Sequence, residues 1–229
     1  MTDSVICAIL IKNNRFGYGK EKLSWTSFFS LNKDKQDTII NAALACFGKF
    51  GYEKASINDI AVAAGISKAS VFQYFGSKKQ LYSYLLDYSG KIIMGALHHD
   101  NFDEKTDLFD RVLLSSFIET KTLEKNPHIS QFITSAWAET AEEVSDILSD
   151  FKTETSKFKN NLILRKDDIL KFKDPNDTET VYNILMFMAE GYAAYCRNNK
   201  DVVYSSLTDD FQKMVEAMRR NFYKEEYLL

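Results

Sequence analysis

Residues 63–82, AAGISKASVFQYFGSKKQLY, place polar and basic side chains where a purely structural helix would not need them. Lys68, Ser70 and Gln73 fall on one short segment between two glycines. A side-chain amide both donates and accepts hydrogen bonds, and an ammonium group attracts anions such as phosphate. These residue types therefore indicate contact with a polar partner outside the protein.

The chain before this stretch has the pattern of a helix that supports it. Apolar residues recur at the spacing of one helix face over residues 35–50, and Gly51 is a suitable end for that helix. The apolar stripe consists of Ile40, Ala43, Leu44 and Phe47.

Two short helices joined by the turn AGIS then form the pattern of a helix-turn-helix. Ser56 begins the first helix, and Ala61 is small where the two helices would cross. Gly65 can adopt the positive φ that the turn requires, and Val71 would bury the second helix against the first. In such a unit the second helix lies in the major groove of DNA. A plain three-helix packing unit with a solvated outer face fits the same pattern.

Residues 38–86 resemble the N-terminal domain of the TetR family of bacterial transcriptional regulators. The matching motifs are F-G-Y at the end of the first helix, S-I-N-D-I-A from Ser56, and A-G-I-S-K-A-S-V-F-Q-Y-F-G-S-K-K-Q-L. The resemblance implies a homodimer whose N-terminal domains bind a palindromic double-stranded DNA operator. It also implies a C-terminal domain that binds a small-molecule effector, and it favours a repressor.

The resemblance further implies which residues contact DNA. Ser56 matches a phosphate-contacting hydroxyl, Lys68 and Ala69 match the start of the recognition helix, and Lys78 matches a phosphate-contacting lysine. Phe72 stands where the family often has tyrosine, so it keeps the ring and loses the hydroxyl. The full predicted set is Ser56, Ser67, Lys68, Ala69, Ser70, Phe72, Gln73, Tyr74 and Lys78.

The remainder of the chain predicts an all-α fold. Two prolines and nine glycines in 229 residues favour long helices, and no strand alternation occurs around the helix-turn-helix. We predict an N-terminal extension of unknown role (1–33), a helix-turn-helix DNA-binding domain (34–82), and a helical-bundle effector-binding and dimerisation domain (83–229). Further helices are expected near 106–124, 127–140, 141–160, 178–197 and 202–224.

Aromatic and apolar residues of the C-terminal part suggest two further surfaces. An effector pocket is predicted from Phe117, Phe132, Trp137, Phe187 and Glu190, although the position of Glu190 is more typical of an exposed or interface carboxylate that pairs with a basic group. A dimer interface is predicted on the last two long helices. Its residues are Val181, Leu185, Met188, Tyr192, Phe211, Met214, Val215 and Met218.

Charge and cysteine content exclude other classes of protein. Residues 34–91 carry seven Lys or Arg against five Asp or Glu, whereas the whole chain has a net charge of −3. This asymmetry suggests nucleic-acid contact at one end of the chain. Cys7, Cys46 and Cys196 lie too far apart to suggest a zinc site or a disulfide framework. The leading apolar run VICAILI is a poor signal peptide and too short for a membrane span, so we expect a cytoplasmic protein without membrane contact.

No catalytic or cofactor-binding motif is present. The chain lacks the G-x-S-x-G, P-loop, H-E-x-x-H and dinucleotide-binding patterns, so we expect no enzyme, no cofactor and no metal. His98–Asp100 in a polar stretch is more typical of solvated histidines than of a metal cluster. The alternative function is an all-α small-molecule-binding protein whose helix-turn-helix serves only packing. Retention on heparin with a steep loss on adding salt would distinguish the two.

Overall fold

A computed structural model describes residues 25–99, 107–198 and 204–228, and helices dominate all three ranges. Within them the backbone forms no strand beyond one isolated bridge between Phe172 and Tyr223, which confirms the all-α prediction. The helices are α1 (Thr26–Phe29), α2 (Lys33–Lys54), α3 (Ile57–Ala63), α4 (Lys68–Phe75), α5 (Lys78–His99), α6 (Leu108–Lys125), α7 (Pro127–Ala138), α8 (Ser145–Ile163), α9 (Asp177–Asn198) and α10 (Tyr204–Phe222).

The long supporting helix α2 bends near its end. Asn32 caps its start, where the side-chain oxygen accepts the backbone N–H of Lys35 at 2.9 Å. Gly51 has φ 72°, a conformation that favours glycine, and the chain completes one more helical turn to Lys54. The predicted break at Gly51 is therefore confirmed.

The helix-turn-helix shares its core with a helix from much later in the chain. The first of two compact units contains the described residues up to Met94 together with Leu123–Thr155. In it α7 packs along α2 so closely that a Cβ on Gly48 would lie 3.0 Å from atoms of Gln131 and Phe132. The predicted boundary after residue 82 stays a prediction about function. In the packing, α7 and the first part of α8 group with α2, α3, α4 and the part of α5 up to Met94.

Part of the N-terminal extension also belongs to this core. The sequence left residues 1–33 without an assigned structure, and residues 1–24 lie outside the described part of the chain. Residues 25–33 of the extension pack on α4 and α5, because the fully buried Phe28 ring lies 4.8 Å from the ring of Phe75 and 5.5 Å from that of Tyr84.

The second unit comprises Gly95–Thr122 and Ser156–Leu229. A buried ion pair joins Arg111 of α6 to Asp168 in the 3-10 turn Lys166–Lys171. The Arg111 Nε also donates to the carbonyl of Ile163 at 2.7 Å, so the guanidinium is held on two sides. None of the described helices combines the length and the apolar character that a membrane span requires.

Candidate nucleic-acid interface

The first helix of the helix-turn-helix, α3, is fixed by its amino-terminal cap. The Ser56 hydroxyl accepts the backbone N–H groups of Asn58 at 3.2 Å and Asp59 at 3.4 Å. Ala61 is buried on the inner face, as expected for a close helix crossing. Gly65 has φ 62° and forms the turn into the next helix, which confirms the predicted helix-turn-helix geometry.

The second helix, α4, separates its residues into an inner and an outer face. Val71 and Phe75 are each 1% exposed and hold the helix on the core. Ser67 caps the helix by accepting the N–H of Ser70 at 3.0 Å. Residues at the intervening positions face solvent, while Ser70 and Tyr74 are half-buried; the exposed residues are Ser67, Lys68, Ala69, Phe72 and Gln73. The predicted base-contacting residues therefore lie together on one accessible surface.

Lys78, at the start of α5, lies against the end of α2. Its Nζ donates to the carbonyl of Glu53 at 3.2 Å and lies 4.7 Å from the centre of the Tyr52 ring. Burial, with a further contribution from Glu143, raises the pKa of Tyr52, so this hydroxyl stays protonated. The ammonium is thus held beside the helix-turn-helix, at the position predicted to meet phosphate.

Sequence reasoning missed a lysine that stabilises the turn itself. The Nζ of Lys35, from the first turn of α2, donates to the carbonyls of Ala64 at 3.3 Å and Gly65 at 3.4 Å. These carbonyls lie at the end of α3, where a helix has no partners of its own for them. The contact spans about thirty residues of sequence, and no local pattern could have indicated it.

The residues predicted to line an effector pocket are spread over the fold. Phe132 is fully buried in the core of the first unit, so we correct it from a pocket residue to a core residue. Trp137 lies on the same helix, whereas Phe117 and Phe187 are exposed residues of the second unit. The side chain of Glu190 lies outside the described residues. Two cavities found in the described part, of about 410 and 220 Å³, have other linings, and the predicted pocket stays a prediction.

Half of the predicted dimer-interface residues are internal to the second unit. Val181, Leu185 and Val215 have no exposed surface, and Phe211 is 5% exposed. A second copy cannot contact them, because α9 and α10 already bury them within this chain, and this part of the prediction is corrected. Met188, Tyr192 and Met218 are partly exposed, and Met214 is 45% exposed.

The same two helices expose other large apolar residues. Ile184, Phe187 and Tyr195 recur on α9 at helical spacing, and Phe187 is 71% exposed. Sequence reasoning did not choose Ile184 for the interface, because periodicity alone does not say which of two apolar faces meets the chain's own core.

A metal centre is not indicated by the side chains that the structure describes. Among them no group of three or more His, Cys, Asp and Glu residues is placed to hold a metal ion. The histidine side chains of the His98–Asp100 stretch lie outside the described residues.

The fold and the exposed face of α4 define a helix-turn-helix protein. Residues 39–85 match the family model described as bacterial regulatory proteins of the tetR family. This match confirms the predicted resemblance of the N-terminal domain to the TetR family.

Curated relatives are similar to part of this chain, and solved structures share its fold. The chain is 35% identical over 71 residues to IcaR of Staphylococcus aureus (strain Newman), a negative transcriptional regulator of the biofilm operon icaADBC, and this match covers 29% of the chain and 38% of IcaR. A TetR-family regulator from Chloroflexus aurantiacus has a TM-score of 0.63 at 19% identity, with 87% of this chain and 98% of that one covered. The fatty acid degradation regulator FadR from Bacillus halodurans has a TM-score of 0.67 at 16% identity, covering 81% and 96%.

Proposed function

We propose that this protein is a transcriptional repressor that binds a palindromic duplex operator as a homodimer. The observation that carries the proposal is the outer face of α4, where Lys68, Ala69, Phe72 and Gln73 are exposed while the inner face is anchored in the core. Such a helix can enter the major groove with its first turns against the bases. The negative regulation named for IcaR supports repression. Binding to chromosomal DNA places the proposed activity in the cytoplasm.

The homodimer forms, in this proposal, through the exposed faces of α9 and α10. Ile184, Phe187 and Met214 are each at least 40% exposed, and large apolar residues at successive turns of a helix are typical of an interface. Two helices from each protomer would form an isologous four-helix contact. A symmetric dimer then presents two α4 helices to two half-sites.

A small-molecule effector releases the operator in this proposal. The predicted functional division assigns residues 34–82 to DNA binding and residues 83–229 to effector binding and dimerisation. Helix α5 begins with Lys78 and continues without a break to His99, so it joins both parts. An effector that tilts α5 would change the spacing of the two recognition helices. By linkage, a compound that binds the free protein more tightly than the DNA complex must lower operator affinity.

Selection of bound duplexes from a random pool tests this function directly. We expect a palindromic sequence, because two protomers related by a two-fold axis read two identical half-sites. The matched control is the double variant Lys68→Ala, Gln73→Ala, which changes two exposed residues and should select nothing. A wild-type protein that retains no duplex at low salt would instead favour a small-molecule-binding protein whose helix-turn-helix serves only packing.

A further inference from the structure

Residues 25–32, which we call the N-terminal brace, join the recognition helix to the helix that supports it. Phe28 is buried against the rings of Phe75 and Tyr84, and its ring centre lies 6.2 Å from that of Tyr74. The other end of the brace is tied to α2, because Gln36 Nε2 donates to the carbonyl of Leu31 at 2.8 Å. The brace is therefore attached to α2 at one end and contacts the carboxyl-terminal half of α4 at the other.

The brace forms a hydrogen bond with Gln73, the residue predicted to contact a base. The Ser27 hydroxyl donates to the backbone carbonyl of Gln73 at 3.3 Å. The last carbonyls of a helix have no partner within it, and the N–H of Ser77 goes instead to the carbonyl of Phe75. Ser27 thus supplies a partner that α4 itself does not provide.

Helix α4 needs such support because it is short. It has eight residues, and Gln73 and Tyr74 lie within the last three of them. A helix of this length is unstable on its own, and its ends fray first. A side chain in the last turn is held at a base edge only if contacts outside the helix fix that turn.

We propose that the N-terminal brace is a positioning element for base recognition. It holds the last turn of α4 so that Gln73 and Tyr74 keep one geometry against the operator. This inference rests on the proposed function, since it concerns how the same surface discriminates between sequences. Ser27 and Phe28 act through α4 and are positioning residues that need not touch DNA themselves.

The test compares Phe28→Leu with Phe29→Leu in the full-length protein. Phe29 is the adjacent residue of the same type, but it is 56% exposed. Affinities are measured for the selected operator and for a random duplex of equal length at several salt concentrations. For Phe28→Leu we expect operator affinity to fall about fivefold or more, with affinity for random duplex and the salt slope unchanged within about twofold. For Phe29→Leu we expect both affinities to stay within about twofold.

This readout separates positioning from simple loss of stability. Partial unfolding lowers both affinities by the same factor, because the folded fraction multiplies each of them. A second variant, Ser27→Ala, removes only an exposed hydroxyl and should lower the operator-to-random ratio about twofold or more. Equal losses on both duplexes, or an unchanged ratio in Phe28→Leu, would overturn the brace as a positioning element. If wild-type protein shows no preference for any sequence, the proposed function fails instead.

Discussion

Asp87, in the middle of α5, should make the protein less stable as the pH rises. Burial raises the pKa of its carboxyl from 3.8 to about 7, and the positive charge of Lys91 offsets only part of this shift. One carboxylate oxygen, Oδ1, is buried without a hydrogen-bond partner in the described structure. Asp87→Asn removes the charge with little change of shape.

The two pKa values fix the size and sign of the effect. Below pH 4 the Asp87 carboxyl is protonated in both the folded and the unfolded chain. Between about pH 4 and 7 it is protonated only in the folded chain. The free energy of unfolding therefore falls as pH rises through this window. Each pKa unit corresponds to about 1.4 kcal/mol, so the loss is at most about 4 kcal/mol. The unpaired amide of Asn costs about 1–2 kcal/mol, so Asp87→Asn should gain about 1–3 kcal/mol at pH 8.

Urea unfolding followed by circular dichroism at pH 5, 6, 7 and 8 measures this difference. Other titrating groups contribute equally to both proteins, so the difference between Asp87→Asn and wild type isolates Asp87. Asp150→Asn, at an exposed position of α8, is the matched control and should change stability by less than about 0.5 kcal/mol at every pH. Parallel curves for wild type and Asp87→Asn from pH 5 to 8 would refute the reasoning.

Three further predictions concern DNA contact, dimerisation and the core. Gln73→Ala should cost about 1–3 kcal/mol of binding free energy per half-site and relax the preference at one base position. Lys78→Ala should lower the affinity for all duplexes alike and reduce the salt slope by about one per subunit. Binding curves at several salt concentrations measure both effects, and finding the two effects exchanged would contradict the prediction. Phe187→Glu should give a folded monomer by light scattering, and a surviving dimer would exclude this face. Glu139→Ala should lower the free energy of unfolding by about 1–3 kcal/mol in urea titrations, because the Glu139 carboxylate accepts the backbone N–H of Tyr52 at 2.5 Å. An unchanged urea midpoint would show that water replaces the carboxylate.

The helix-turn-helix could be predicted from sequence because its determinants are local. Ser56 and Ser67 cap helices within their own first turns, and Gly65 is needed by the turn in which it lies. Such contacts connect residues a few positions apart, so their spacing is visible in the sequence. The exposed face of α4 follows directly, since burying Val71 and Phe75 leaves the residues between them outside.

The supports of this unit could not be predicted because they come from distant parts of the chain. Ser27 reaches Gln73 across 46 residues, and Glu139 reaches Tyr52 across 87. The brace contributes only one fully buried side chain, Phe28, so it has no periodicity to detect. A short segment of this kind shows its role only when the elements that it contacts are folded around it.

The error in the dimer prediction has a physical cause, and that cause supports the interface proposed above. Periodicity placed Val181 and Leu185 on one apolar stripe, but this stripe is buried completely within one chain. Ile184 and Phe187, between and beyond them on α9, are exposed and equally apolar. A helix that is apolar on both its inner and its outer face is typical of a fully buried helix. Since one chain covers only the inner face, the outer face of α9 is the surface that a second copy is expected to cover.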